Sequence, residues 1–255
     1  MNGKLFDLNG KTALVTGSSR GLGLVFARGL AQAGATVVLS GRSGETLQQA
    51  VAGLKGEGLD ATGYSFDVVN RQQVTEQVGR IERDIGPIDI LVNSAGIQKR
   101  APILDTEEAV WREVLDVNLT GVFLTSQVIA KGMVERRQGK IINICSMMSE
   151  VGRSTIAPYT AAKGGVKMLT RAMAVEWAKY NVQVNGLGPG YFATEMNKAL
   201  IQDPEFDRWI RQRTPAGRWG KPEELIGAVV FLASRASDFV TGQILYVDGG
   251  ILASL

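Results

Sequence analysis

Tyr159 precedes Lys163 by four residues in the stretch PYTAAKGG, and Pro158 stands where a helix would begin, so the two side chains are expected on one helical face. A free phenol titrates near 10 and is a poor base at neutral pH. A neighbouring ammonium would stabilise the phenolate and lower that value, each unit being worth about 1.4 kcal/mol. A tyrosine and a lysine on an amphipathic helix are commonly only a half-buried ring and a solvated charge. Ser146 sharpens the pattern: it lies thirteen residues before Tyr159 and directly after the apolar run IINIC, where a strand's carboxyl end meets a ligand. The three together could exchange a proton with a substrate oxygen that Ser146 orients.

A second constellation follows the run TALVT. Gly17, Ser18, Ser19, Arg20, Gly21, Leu22 and Gly23 form a G-x-x-x-G-x-G turn that leads into an apolar-periodic helix. Glycines there allow positive φ and close approach of a pyrophosphate, and the helix start favours an anion. A turn kept only for packing is the competing explanation. After the second strand, where NAD enzymes place a carboxylate for the ribose 2′-OH, the chain has Ser40-Gly41-Arg42. Arg42, helped by Ser18 or Arg20, could hold a 2′-phosphate, so NADP (NADPH) is the expected cofactor and NAD the second choice. A solvated arginine at a helix start is the alternative.

The elements that must position these groups alternate along the chain. Short β-branched runs stand at 12–16, 36–40, 89–93, 141–145, 182–185 and 244–248, and a further strand is expected to close at Asp67-Val68. Longer segments with helical spacing lie between, among them LVFARGLAQAG, QQVTEQVGRIERDIG and KMLTRAMAVEWAKY. The alternation predicts an α/β, single-domain Rossmann-type doubly wound parallel sheet flanked by helices. One domain is expected over 1–255, the cofactor-binding part about 1–145 and the catalytic and substrate part about 146–255. The segment 191–218 reads as the least regular insertion, able to form a lid.

Composition narrows the classes. The 255 residues are 45% hydrophobic and 21% charged with 31 glycines, values of a globular chain. A net charge of +3, dispersed among acids, gives no footprint for nucleic acid. No run approaches the roughly 20 apolar residues needed to cross a bilayer, so no membrane partner is expected. One cysteine excludes an internal disulfide, and without histidine the usual zinc sets cannot be assembled, so no metal is expected. No charged-then-apolar leader precedes the first strand-like run, which makes the cytoplasm the expected location.

Over nearly its whole length the chain resembles the short-chain dehydrogenase/reductase family. Thr16-Gly17 opens a turn similar to the family's TGxxxGxG, Asp67-Val68 resembles its adenine contact, and Asn93-Ser94-Ala95-Gly96 resembles its NNAG signature with serine at the second position. DVNLTG supplies Asn118, and Pro189-Gly190 with Thr194 matches the segment that meets the nicotinamide carboxamide. The resemblance implies a tetrad of Asn118, Ser146, Tyr159 and Lys163. Tyr159 would move the proton, and Lys163 would lower its pKa and bind the nicotinamide ribose. Asn118 would hold a water linking Lys163 to solvent. The family's pairing through two long helices, here around 106–136 and 156–180, implies a homo-oligomer, a tetramer. Val122, Phe123, Met168 and Trp177 would serve that interface or the core.

Substrate choice is expected from Gln98, Arg100, Ser146, Glu150, Arg153 and Tyr191, with Met147, Met148 and Phe192 nearby. Two arginines with amide and carboxylate partners suit a small sugar acid, which offers a carboxylate and several hydroxyls. The stretches 143–171, 184–200 and 213–240 resemble family members that act on sugar acids. Members acting on 2-dehydro-3-deoxy-gluconate or on 3-oxoacyl carrier-protein thioesters share most of these motifs and form the alternative, and a non-catalytic cofactor-sensing protein is a further one.

Overall fold

The computed structural model describes residues 5–254, the side chain of Met196 excepted; residues 1–4 and 255 of the expected domain lie outside the described residues. Among the described residues seven strands form one sheet in the order β3-β2-β1-β4-β5-β6-β7. They are β1 (Thr12–Val15), β2 (Thr36–Gly41), β3 (Ala61–Ser65), β4 (Ile90–Asn93), β5 (Gly139–Ile144), β6 (Val182–Pro189) and β7 (Ile244–Val247). Every neighbouring pair is parallel. Among the described residues nine helices connect them: α1 (Gly21–Gln32), α2 (Gly44–Gly56), α3 (Arg71–Asp84), α4 (Glu108–Leu115), α5 (Gly121–Arg136), α6 (Ala157–Trp177), α7 (Lys198–Ile201), α8 (Pro204–Arg213) and α9 (Ile226–Ala233). This is the doubly wound fold that the alternation predicted.

The helices form two layers because the strands are apolar on both faces. On one side Ala13, Val15, Val37 and Leu39 pack with Phe26 and Leu30 of α1 and Val229 and Leu232 of α9. On the other, Leu14, Val38 and Leu91 pack with Val78 and Ile81 of α3, Ile129 and Met133 of α5, and Met173 of α6. Phe26 is fully buried, worth roughly 2–3 kcal/mol of transfer free energy. Side-chain caps hold the starts of α2 and α3: Ser43 Oγ accepts from the Thr46 amide and Asn70 Oδ1 from the Gln73 amide.

Two strand expectations need correction. β3 ends at Ser65, so Phe66, Asp67 and Val68 lie in the connection to α3. β6 runs four residues past its expected end, through Gly186-Leu187-Gly188-Pro189, and is buried throughout. Its glycines hide it from a β-branched pattern, yet they are required: a Cβ on Gly188 would lie 2.4 Å from the Tyr246 ring on β7. The segment 191–218 is not irregular but carries α7 and α8. Of the apolar residues expected at an interface or in the core, Val122 is buried and Trp177 packs on the core, while Phe123 and Met168 are exposed.

Candidate active site

β1 lies between β2 and β4, and from it the chain winds outward both ways, opening a crevice at the carboxyl ends of the strands. The crevice is a cleft of ≈ 650 Å³ that runs from the turn after β1 to α6 and the segment after β6.

At one end lies the glycine turn. Gly17 has φ +63°, and a Cβ there would lie 2.6 Å from Ala95 Cα; one on Gly23 would lie 2.4 Å from the Gly17 carbonyl oxygen. No other residue fits either place. Thr16 Oγ1 accepts from the amides of Ser94 and Ala95, at 3.0 and 3.1 Å, and so binds the two strand-end turns together. Arg20, at the N-cap of α1, makes no side-chain cap, and the first turn holds no acid. That helix end therefore presents amide hydrogens to the cleft beside Ser19, Arg20, Gly21 and Leu22. Ser18 departs from expectation. It is fully buried, donates to the Val15 carbonyl at 2.7 Å and accepts from the Ser40 amide at 3.0 Å, and its hydroxyl joins β1 to β2 instead of facing a phosphate.

Ser40, Gly41 and Arg42 line the cleft beyond the turn. The Ser40 hydroxyl is buried without a hydrogen-bond partner, and Arg42 is exposed with no ion pair among the described residues. An orphaned hydroxyl and an uncommitted guanidinium side by side fit a phosphorylated ribose. Asp67, Val68, Ser94, Ala95 and Gly96 complete this wall. Asp67 Oδ1 also accepts from the Val69 amide, so it forms its own turn. Asn93 corrects a second expectation: its amide is directed into the fold, donating to Ser126 and to Asn143, both at 2.8 Å, and accepting from Thr125 at 2.6 Å.

In the middle stand Ser146, Tyr159 and Lys163. Pro158 lies in the first turn of α6, as its φ restriction allows, and the turn after it carries both Tyr159 and Lys163. Lys163 Nζ donates to the Ile144 carbonyl at 2.5 Å and lies 5.6 Å from the centre of the Tyr159 ring. Burial pushes this lysine down to about 8. Burial pushes the Tyr159 phenol up, opposed by the Ser146 hydroxyl. In the protein alone the phenol is thus governed first by its burial, while the Lys163 amine beside the ring is engaged by the Ile144 carbonyl. Ser146 Oγ accepts from the Met148 amide at 3.1 Å, and Ser149 donates to the Lys163 carbonyl at 2.9 Å, tying the β5 end to α6.

Asn118 is fully buried in a π turn, Asp116–Thr120, between α4 and α5. Its Oδ1 accepts from the Ile97 amide at 2.7 Å and its Nδ2 donates to the Ile97 carbonyl at 2.8 Å. The side chain is therefore committed to the loop after β4 and does not line the cleft; it anchors that wall instead of holding a water with its amide.

At the far end, Gln98, Arg100, Met147, Met148, Arg153, Tyr191 and Phe192 line the cleft, as do Pro189, Gly190 and Thr194. Arg100 and Arg153 have no acidic partner among the described residues, and the Arg100 pKa is lowered by burial first and by the Arg153 charge second. Two guanidiniums brought together without a counter-ion favour an anion between them. Glu150 does not line the cleft: its carboxylate takes Lys167 at 2.6 Å and Tyr246 at 2.6 Å, and both bonds hold its pKa down. Thr194 occupies the N-cap position of the 3₁₀ turn Glu195–Asn197 without a side-chain cap. Ile97, Ile156 and Asn197 also line the cleft, with no residue pattern in the sequence to single them out.

The cleft thus joins an anion-binding helix start, a phenol held neutral beside a buried amine, and a paired guanidinium end. The family model described as Enoyl-(Acyl carrier protein) reductase matches residues 17–252. The chain is 55% identical over 251 residues to gluconate 5-dehydrogenase of Gluconobacter oxydans, covering 98% of each. It is 53% identical to 5-keto-D-gluconate 5-reductase of Escherichia coli, covering 98% of this chain and 99% of that one. The crystal structure of a gluconate 5-dehydrogenase from Burkholderia cenocepacia in complex with NADP and tartrate is similar with a TM-score of 0.97, at 50% identity and full coverage of both chains.

Proposed function

This chain belongs to the short-chain dehydrogenase/reductase family, and we propose that within it the protein interconverts D-gluconate and 5-dehydro-D-gluconate with NADP. The observation that carries the substrate is the pair Arg100 and Arg153, unpaired guanidiniums at the end of the cleft opposite the glycine turn. The orphaned Ser40 hydroxyl and Arg42 support NADP over NAD, as do the relatives solved with NADP. The 2-dehydro-3-deoxy-gluconate, thioester and non-catalytic alternatives are not favoured by these similarities.

Bound NADP supplies or accepts the hydride at the substrate carbon. Gly17, Gly21, Leu22 and Gly23 would seat its pyrophosphate on the start of α1, and Ala95, Gly96, Pro189, Gly190 and Thr194 would face its ribose and nicotinamide. Arg100 and Arg153 would take the carboxylate of the sugar acid, with Gln98 and Tyr191 on its hydroxyls. Ser146 would donate to the carbonyl oxygen in reduction, and Tyr159 would pass its proton to that oxygen. In oxidation the phenolate takes the proton back. Lys163, cationic below about 8, would favour that phenolate more where bound cofactor and substrate exclude water and leave its field less screened.

The chain would work as one domain, the part before about 146 holding cofactor and the rest substrate, in the cytoplasm and as a homotetramer. Exposed Phe123 and Met168 on α5 and α6 support the assembly. Among the described residues no helix is long and apolar enough to cross a membrane. Light scattering after size exclusion should return about four times 27.4 kDa. The activity test follows NADPH and NADH absorbance separately with 5-dehydro-D-gluconate, and the reverse with D-gluconate. Rapid NADPH oxidation is expected; turnover of 3-oxoacyl thioesters without turnover of either sugar acid would overturn the proposal.

A further inference from the structure

Arg153 is held by an aromatic face. Its guanidinium carbon lies 4.5 Å from the centre of the Phe206 ring, and its Nη1 makes one long hydrogen bond, 3.4 Å, to the Tyr191 hydroxyl. A guanidinium that lies flat on a ring keeps its in-plane N–H edge for a planar anion. Among the described residues no carboxylate takes that edge.

Phe206 comes from α8, which sits on a small core of its own. Leu200, Ile210 and Trp219 are buried there with Tyr191 and Phe206 packed against them. Tyr191 meets the rings of Phe206, Trp209 and Trp219 edge-on at 5.9, 6.3 and 5.7 Å between centroids. Arg153 therefore connects this helical cap to the loop after β5. That loop is in turn fixed to the one carrying Arg100, because the Ala101 amide donates to the Thr155 carbonyl at 3.0 Å. Thr155 has φ +68°, a left-handed conformation costly for a β-branched residue and kept only where the surroundings impose it.

We propose that Phe206 is a positioning residue for the acid group of the substrate: its ring sets the plane of Arg153, so that the helical cap and the bound carboxylate order each other. This rests on the sugar-acid reading of the cleft. It predicts that Phe206→Leu, which keeps bulk and removes the π face, weakens carboxylate binding without touching the proton-transfer groups.

The test uses tartrate as a probe that needs no turnover, titrated into the NADP-loaded protein while the emission of Trp209 and Trp219 is followed, with KM and kcat for 5-dehydro-D-gluconate measured alongside. Expected are a rise of about tenfold in the tartrate Kd and in KM for Phe206→Leu, with kcat within about twofold and KM for NADPH unchanged. Phe206→Tyr should restore wild-type values, and Arg153→Lys, which keeps the charge and loses the planar face, should repeat the loss. Equal tartrate affinity in wild type and Phe206→Leu, or failure of Phe206→Tyr to rescue, would overturn the inference. Absence of sugar-acid turnover by the wild type, with the tartrate differences intact, would instead overturn the substrate and leave the Phe206–Arg153 device standing for another carboxylate.

Discussion

Lys163 Nζ lies 2.5 Å from the Ile144 carbonyl oxygen and 5.6 Å from the centre of the Tyr159 ring, so the last residue of β5 and the first turns of α6 share one buried cation. The amine is fixed by the strand end before any ligand arrives, and the phenol beside it stays neutral.

A neutral phenol is the form that donates a proton to a ketone. Tyr159→Phe should lower kcat/KM in both directions on the order of 10³-fold. NADPH binding, followed by fluorescence, should change little; retention of more than about a tenth of the activity would remove Tyr159 from the chemistry.

The sign of the pH dependence follows from the raised phenol. Oxidation of gluconate needs the phenolate, which is gained only as pH climbs, so its kcat/KM should rise through the alkaline range. Reduction uses the protonated form, so its kcat/KM should be level near neutrality and fall at high pH. Initial rates in both directions across about pH 6 to 10 would check this, and parallel profiles would contradict it.

Arg42→Ala should raise KM for NADPH by about 10- to 100-fold, the worth of a charge-assisted contact, and leave KM for NADH nearly unchanged. Equal effects on both cofactors would place Arg42 outside the 2′-phosphate site.

Gly17→Ala forces a Cβ against Ala95 at a positive φ. It should cost about 1–3 kcal/mol of stability and weaken NADPH binding at least tenfold. Thermal unfolding with and without NADPH separates the two effects, since a protein that has lost its cofactor site loses the ligand-induced shift in Tm.

Asn93→Ala should act on the fold alone. It removes the donor that Ser126 and Asn143 accept from in the interior, while Thr125 keeps the Gly121 carbonyl, a loss of about 2–3 kcal/mol that lowers Tm by on the order of 5–10 °C. KM values measured well below Tm should stay near wild type.

The strands with β-branched runs, the glycine turn, and the Tyr159, Lys163 and Ser146 spacing were legible because each is carried by residues adjacent in the chain. Asn93 was not: β4 and β5 set it opposite Asn143, and a side chain's choice between cleft and interior depends on that neighbour. Ser18 likewise turns inward because the Ser40 amide on β2 is there to be bonded. Glu150 stands three residues from Arg153 but faces Lys167 and Tyr246, contacts between segments remote in sequence. Phe206 gave no signal, being one aromatic residue in an amphipathic helix until Arg153 is placed on its face.

The π turn at Asp116–Thr120 fixes more than Asn118. α4 runs into it and α5 runs out of it without a break, so it acts as a spacer whose count sets how far α5 is rotated about its axis. Removing a single residue would turn α5 by about 100°, carrying Val122, Ile129 and Met133 off the sheet and bringing other side chains in. Substitutions at its exposed ends, Asp116 and Thr120, leave that count intact, whereas an insertion or deletion anywhere in the stretch changes it.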